Sequence, residues 1–165
     1  MGLFSFIKNA GAKVLGIGKT DAEEDAEAKA EKKAAIEESN KKAAASMEET
    51  VKDLGLKAEN LKVSISGDTA TVTGKAYDQS TKEKIVLVVG NTNGIAQVDD
   101  RMEVEHTEPE AQFHTVESGD TLGKIAKTYY GNAMKYPVIF EANKPMLKDP
   151  DKIYPGQVLR IPQVD

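Results

Sequence analysis

The chain has no cysteine and no tryptophan, and only two of its 165 residues are histidine. Without cysteine there is no disulfide framework, no thiolate metal site and no thiol nucleophile. His106 and His114 stand too far apart in sequence for the usual zinc spacings. No serine, histidine and carboxylate are ordered around a recognisable nucleophile elbow. Asp99 and Asp100 are neighbours on an expected strand, so they point to opposite faces and make no catalytic pair. An enzyme is therefore the least expected class. A net charge of −5 also argues against a general nucleic-acid binder.

What is present suffices for a packed core. Apolar residues make up 39% of the chain and charged residues 30%, and the length suits one ordinary domain or two small ones. Residues 1–54 and 55–110 are net negative, whereas 111–165 is near neutral. Residues 19–47 are dominated by Ala, Glu and Lys, which favour helix but bury little. This stretch reads as a solvated helical extension. Ala44, Met47, Val51 and Leu54 then form one apolar helical stripe, and Gly55 stops the helix.

Residues 1–18 form an apolar segment that is too short and broken for a membrane span and is a poor export signal. Phe6 replaces the Ser or Thr of a myristoylation pattern. An amphipathic helix is expected over 2–10, with Leu3, Phe6, Ile7 and Ala10 on one face. That face would dock on the protein's own body or on a membrane surface.

Residues 48–105 read as an αββαβ unit. Leu61, Val63 and Ile65 alternate with polar residues, Gly67-Asp68 turns the chain, and Ala70 and Val72 lie on the return strand, which Gly74 is expected to end. A helix is predicted over 78–89, capped by Asp78 or Ser80, with Ile85, Val88 and Val89 facing inward. In the last strand Ala96, Val98, Met102 and Val104 share one parity, which Asp100 breaks, so a bulge or strand end is expected there. Residues 106–112 form a linker able to span roughly 20 Å. Residues 113–163 read as βααβ, with Asp120 as the expected cap of the first helix and Gly131 as its end. The whole is α+β, two small domains behind an N-terminal helical extension.

The string Thr115-Val116-Glu117-Ser118-Gly119-Asp120-Thr121-Leu122, with Ile125-Ala126, Tyr130-Gly131-Asn132, residues 139–143 and residues 153–162, resembles a LysM domain. Val72-Thr73-Gly74, the helix after it and Gly94-Ile95-Ala96-Gln97-Val98 resemble a BON domain. With the opening Met1-Gly2-Leu3-Phe4, this order is similar to the small bacterial cytoplasmic potassium-binding proteins built as BON plus LysM. The resemblance covers all but roughly residues 19–45. Pro137, early in the second LysM helix, departs from it and is expected to shorten that helix.

The resemblance implies a cytoplasmic K⁺ sensor or buffer. K⁺ is large and weakly charge-dense, so backbone carbonyls suit it better than carboxylate clusters. Helix C-termini leave carbonyls unpaired and carry partial negative charge. The resemblance points to two such ends, giving an expected site on the backbone oxygens of Ile7, Ala10, Ala12, Gly90, Thr92 and Ile95. Gly90 is expected at positive φ, and an ordinary glycine-terminated helix end is the alternative at each of the two glycines, Gly11 and Gly90. Ion binding across the two regions would draw the domains together. LysM domains commonly bind N-acetylglucosamine polymers, which implicates Gly119, Asp120, Thr121, Leu122, Ile153, Tyr154, Pro155 and Gly156 in binding peptidoglycan fragments. Thus K⁺ is the expected ligand and the chain is expected to be a monomer, with no nucleic acid and no stable membrane insertion. A glycan-binding protein and a membrane-associated stress protein acting through the BON domain remain the alternatives.

Overall fold

Strands β2 (Ala58–Ser66) and β3 (Thr69–Asp78) form the expected antiparallel hairpin around Gly67-Asp68. The computed structural model describes residues 2–6 and 24–164. Val63, Ala70 and Val72 are buried while alternate residues face outward, as a half-buried sheet requires. Gly74 does not end β3. It lies inside the strand at φ 134°, where a Cβ would stand 2.9 Å from the Glu59 carbonyl oxygen. Pairing shifts register there, between Glu59 and Lys62, so glycine accommodates a bulge rather than a stop.

Helix α2 (Gln79–Gly90) crosses from β3 to β4 (Gln97–His106), which pairs parallel to β3. Asp78 is its N-cap, accepting from the Thr81 N–H at 2.7 Å. Ile85 and Val89 are buried as expected, but so are Val86, Leu87, Gln79 and Glu83, because both sides of this helix are covered. Asp100 causes neither a bulge nor a strand end. Pairing of β4 with β3 runs unbroken past it, and the buried carboxylate meets Lys82 Nζ at 3.2 Å and accepts the Met102 N–H at 2.9 Å.

Before this unit runs α1 (Glu24–Asp53), 30 residues long and about 45 Å by the rise of an α-helix. Residues 28–39 of it are exposed, and Ala44, Met47 and Val51 seat its end on the core. Asn40 Nδ2 donates to the Ile65 carbonyl at 3.3 Å, and Glu48 accepts the Val63 N–H at 2.8 Å. These bonds occupy backbone groups on the outer edge of β2 that would otherwise invite pairing with another chain.

The N-terminal segment differs from expectation. Residues Gly2–Ser5 form strand β1, antiparallel to β4, giving a sheet in the order β1-β4-β3-β2. Period-two alternation prevails: Phe4 packs against the core and Phe6 is buried, while Leu3 is 65% exposed. A short isolated helix carries a costly nucleus, whereas the open edge of β4 offers ready backbone partners. The remaining helix-face positions, Ile7 and Ala10, lie outside the described residues.

The C-terminal unit follows the expected βααβ order. It comprises β5 (Gln112–Thr115), α3 (Leu122–Tyr130), a 3₁₀ turn (Ala133–Lys135), α4 (Tyr136–Ala142) and β6 (Val158–Ile161), with β5 antiparallel to β6. Gly131 ends α3 in the left-handed region at φ 69°. Thr121, not Asp120, caps α3, accepting the Lys124 N–H at 3.2 Å. Pro137 lies in the first turn of α4, where a missing N–H forfeits no helical bond, so it is compatible with the helix start. Val116, Leu122, Ile125, Ala126, Ile139 and Leu147 pack a second core with Leu159 and Ile161. Val158 and Phe113 instead join the first core, so the two units share apolar packing.

Phe6 and Gly90 are in direct conflict for space: a Cβ on residue 90 would sit 1.9 Å from the Phe6 ring. Phe6→Ala should cost about 3–5 kcal/mol. Gly90→Ala should be destabilising in the native background and much less so beside Phe6→Ala. A urea-denaturation double-mutant cycle measures this coupling, and additive losses would contradict it.

Candidate functional site

The turn after α2 is where the expected ion site falls. The Asn91 N–H donates to the Leu87 carbonyl at 2.9 Å, the Thr92 N–H to Val89 at 3.2 Å, and the Ile95 N–H to Thr92 at 3.2 Å. The Thr92 hydroxyl donates back to the Val88 carbonyl at 2.9 Å. Among the described residues no backbone donor is paired with the carbonyl of Gly90 or Ile95. These oxygens lie at the negative end of α2, a setting suited to a cation.

Gly90 does not have the positive φ expected of it. Gly94 holds the left-handed conformation in this turn, at φ 90°. Glycine at 90 is required by the Phe6 ring lying against its α-carbon. The Phe6 N–H also donates to the Ala96 carbonyl at 2.6 Å. Phe6 is therefore fixed between the end of α2 and the start of β4, and the chain leaves it directly into Ile7. Gly90, Thr92 and Ile95 are thus together in one turn, while Ile7, Ala10 and Ala12 lie outside the described residues.

The same turn meets the C-terminal unit. Asn91 Nδ2 donates to the Val158 carbonyl at 3.0 Å, and the Val158 N–H donates to Asn91 Oδ1 at 2.9 Å. Further back along α2, buried Glu83 accepts from Gln79 Nε2 at 3.0 Å, from the Ala111 N–H of the linker at 2.9 Å, and from Arg160 Nε. The rings of Phe4 and Phe113 meet edge to face at 5.2 Å. A cleft of about 490 Å³ lies between the units, lined among others by Thr50, Leu87, Val88, Met146 and Tyr154. Sequence reasoning missed Phe6 over Gly90, Asn91 and the Glu83–Arg160 pair. The charges of Glu83, amid apolar helix positions, and of Arg160, inside an apolar strand, were the available signal.

The expected glycan residues lie in two turns that the fold brings side by side. The Val116 N–H donates to the Gln157 carbonyl and the Gly156 N–H to the Val116 carbonyl, each at 2.8 Å. Gly119, Thr121, Tyr154 and Pro155 are exposed, whereas Leu122 is buried and Ile153 packs on the second core. Asp120 accepts the Glu117 N–H and faces His114 Nε2, both at 3.0 Å, while His114 Nδ1 lies 3.1 Å from the Tyr129 hydroxyl. Among the described residues no cluster of three or more His, Asp or Glu side chains is placed to hold a metal, and no helix is long and apolar enough to cross a membrane.

The Glu117 N–H, and after it His114, holds the Asp120 carboxyl below the ordinary range, against the opposing effect of burial. A depressed folded pKa stabilises fully above the unfolded Asp value of about 3.9, and that contribution is lost as pH falls through the lower folded value. Asp120→Asn should therefore flatten part of the acid limb of stability below about pH 4. Asp78, also lowered, contributes to the remainder: burial raises it, but its bonds with Thr81 and the charges of Lys84 and Arg160 outweigh that. Thermal melts of both proteins across this range check the prediction, and identical acid limbs would refute it.

The comparisons with known proteins agree with this architecture. Residues 38–106 match the BON domain and residues 114–162 the LysM domain. A protein of Escherichia coli O6:H1 (strain CFT073), named potassium binding protein Kbp, is 45% identical over 164 residues, covering 99% of both chains. An uncharacterised protein of Deinococcus radiodurans is 51% identical over 49 residues, covering 30% of this chain and 19% of its own. From the near-complete match to the E. coli protein and the BON-then-LysM order, the chain belongs to the family of the potassium-binding protein Kbp.

Proposed function

We propose that the chain is a K⁺-binding protein, a cytoplasmic sensor or buffer rather than an enzyme. The ion is held by backbone carbonyls of Ile7, Ala10, Ala12, Gly90, Thr92 and Ile95, and its binding makes the two domains more compact. The protein acts as a monomer, without nucleic acid and without stable membrane insertion. The observation that supports this reading is the anchoring of Phe6, the residue before Ile7 in sequence, between Gly90 and Ala96 at the turn of residues 90–95. The whole-length similarity to a protein named for potassium binding supports it. Uncharged oxygens suit K⁺, whose dehydration is cheap, whereas Ca²⁺ favours carboxylates.

A second reading rests on the LysM turns. The paired exposed turns at Gly119 and Tyr154 present backbone groups and an aromatic face, which favours short N-acetylglucosamine oligomers such as peptidoglycan fragments. The membrane-surface reading is less well supported, because Phe6 is buried within the protein.

Calorimetric titration with K⁺, Rb⁺, Na⁺ and Ca²⁺ tests the ion reading. Heat and a rise in melting temperature are expected with K⁺ and Rb⁺. Their absence at millimolar K⁺ would overturn the proposal. Thr92→Ala should change K⁺ affinity by less than about twofold, since its ligand is a main-chain oxygen. Gly90→Val should weaken it by more than about tenfold, because a side chain there displaces Phe6 from the turn.

A further inference from the structure

Strand β6 has β5 along one edge and side-chain amides along the other. Arg160 donates its N–H to Asn143 Oδ1 at 2.8 Å and accepts from Asn143 Nδ2 at 2.9 Å. Two residues earlier, Val158 makes the same reciprocal pair with Asn91, at 2.9 and 3.0 Å. Residues two apart on a strand aim their backbone groups to the same edge, so the two asparagines together stand where a third strand would pair. Asn143 belongs to the LysM unit itself, at the end of α4. Asn91 belongs to the other domain, 67 residues away in sequence, and occupies the C-cap of α2 between Gly90 and Thr92.

The reciprocal pair fixes the orientation of the amide. Turning Asn91 over would face Nδ2 to the Val158 N–H and Oδ1 to its carbonyl, losing both bonds. The side chain that grips the LysM strand therefore hangs from the peptide linking two proposed ligand positions. A shift in the path of residues 90–92 moves the grip with it. The buried Glu83–Arg160 pair holds the same interface from the middle of α2, away from the turn.

We propose that Asn91 couples ion occupancy of residues 90–95 to docking of the LysM domain; this rests on the K⁺ reading above and names its regulation. An ion that favours the present path of the turn favours the Asn91–Val158 pair. By thermodynamic reciprocity, a docked LysM domain raises ion affinity by the same factor. Asn91 is a positioning residue: it supplies no ligand oxygen from its side chain.

The experiment uses the full chain with saturating KCl against choline chloride at equal ionic strength. It reads calorimetric K⁺ affinity together with hydrogen exchange of the Val158 amide. In the native protein, K⁺ should slow exchange at Val158 by about 5- to 150-fold, the usual span of such couplings. Asn91→Ala should still give K⁺ heat, with affinity reduced, and K⁺ should no longer protect β6. If Asn91→Ala keeps the native affinity, or K⁺ still protects β6 in it, the coupling is refuted while the K⁺ reading stands. If the native protein itself gives no K⁺ heat, the K⁺ reading fails and the coupling with it. Should Asn91→Ala not fold, the paired change Glu83→Gln with Arg160→Met loosens docking without touching the turn. Reduced K⁺ affinity in that variant supports the coupling, and unchanged affinity refutes it.

Discussion

The ring of Phe6 occupies the space that any side chain on residue 90 would need. Much of the molecule's arrangement is organised around that contact. Burying the ring contributes about 1.5–3 kcal/mol, and it also sets a register. With Phe6 fixed, its N–H reaches Ala96, β1 pairs along β4 with Phe4 opposite Val98, and Phe4 reaches Phe113 across the domain boundary. The N-terminal strand therefore closes one edge of the BON sheet, and Phe6 at its end lies against the turn after α2.

Helix α2 acts as a wall shared by two domains. Gln79, Glu83, Leu87 and Asn91 recur every four residues and form a single stripe, which meets the linker and the LysM unit through Glu83, Leu87 and Asn91. The interface is therefore not greasy along its whole length. Desolvating Glu83 and Arg160 is costly, and their mutual attraction with the added bonds from Gln79 and Ala111 offsets that cost. What such a pair supplies best is orientation, since a shifted LysM domain would leave Glu83 buried without its cation. Burial pushes the Lys84 pKa down, and the charge of Arg160 adds to it. Together the buried pair and the Asn91 bridge give the interface one register.

Local signals in the chain were sufficient for most elements. Alternation in β2 and β3, the stripe of Ala44, Met47 and Val51 closing α1 and the Gly131 stop all act within a few residues, and each reappears in the fold, whereas Leu54 falls just past the helix end. The signals that misled depend on partners far away. Residues 2–6 fit a helical face about as well as a strand face, and the open edge of β4, far along the chain at Gln97–Asp100, decides between them. Asp100 looks like an error in an apolar parity until Lys82 of the packed helix is placed beside it. Asp120 fits the pattern of a helix cap, yet the Glu117 N–H and His114 claim its carboxylate, leaving Thr121 to cap.

The candidate site was legible to the level of a turn and no finer, for a reason rooted in its chemistry. A carbonyl shell can be built from any residues, so identity at each position reports only on conformation and space. Position 90 shows how these two are confused. Gly94 has a positive φ and empty space around its would-be Cβ, so a side chain there strains the backbone. Gly90 is the reverse, with no positive φ and no room, so a side chain there evicts a ring. Two glycines in one turn are thus kept for opposite physical reasons. Changes at Gly94 act on the turn's own shape, whereas changes at Gly90 act through Phe6 and so reach the N-terminal strand.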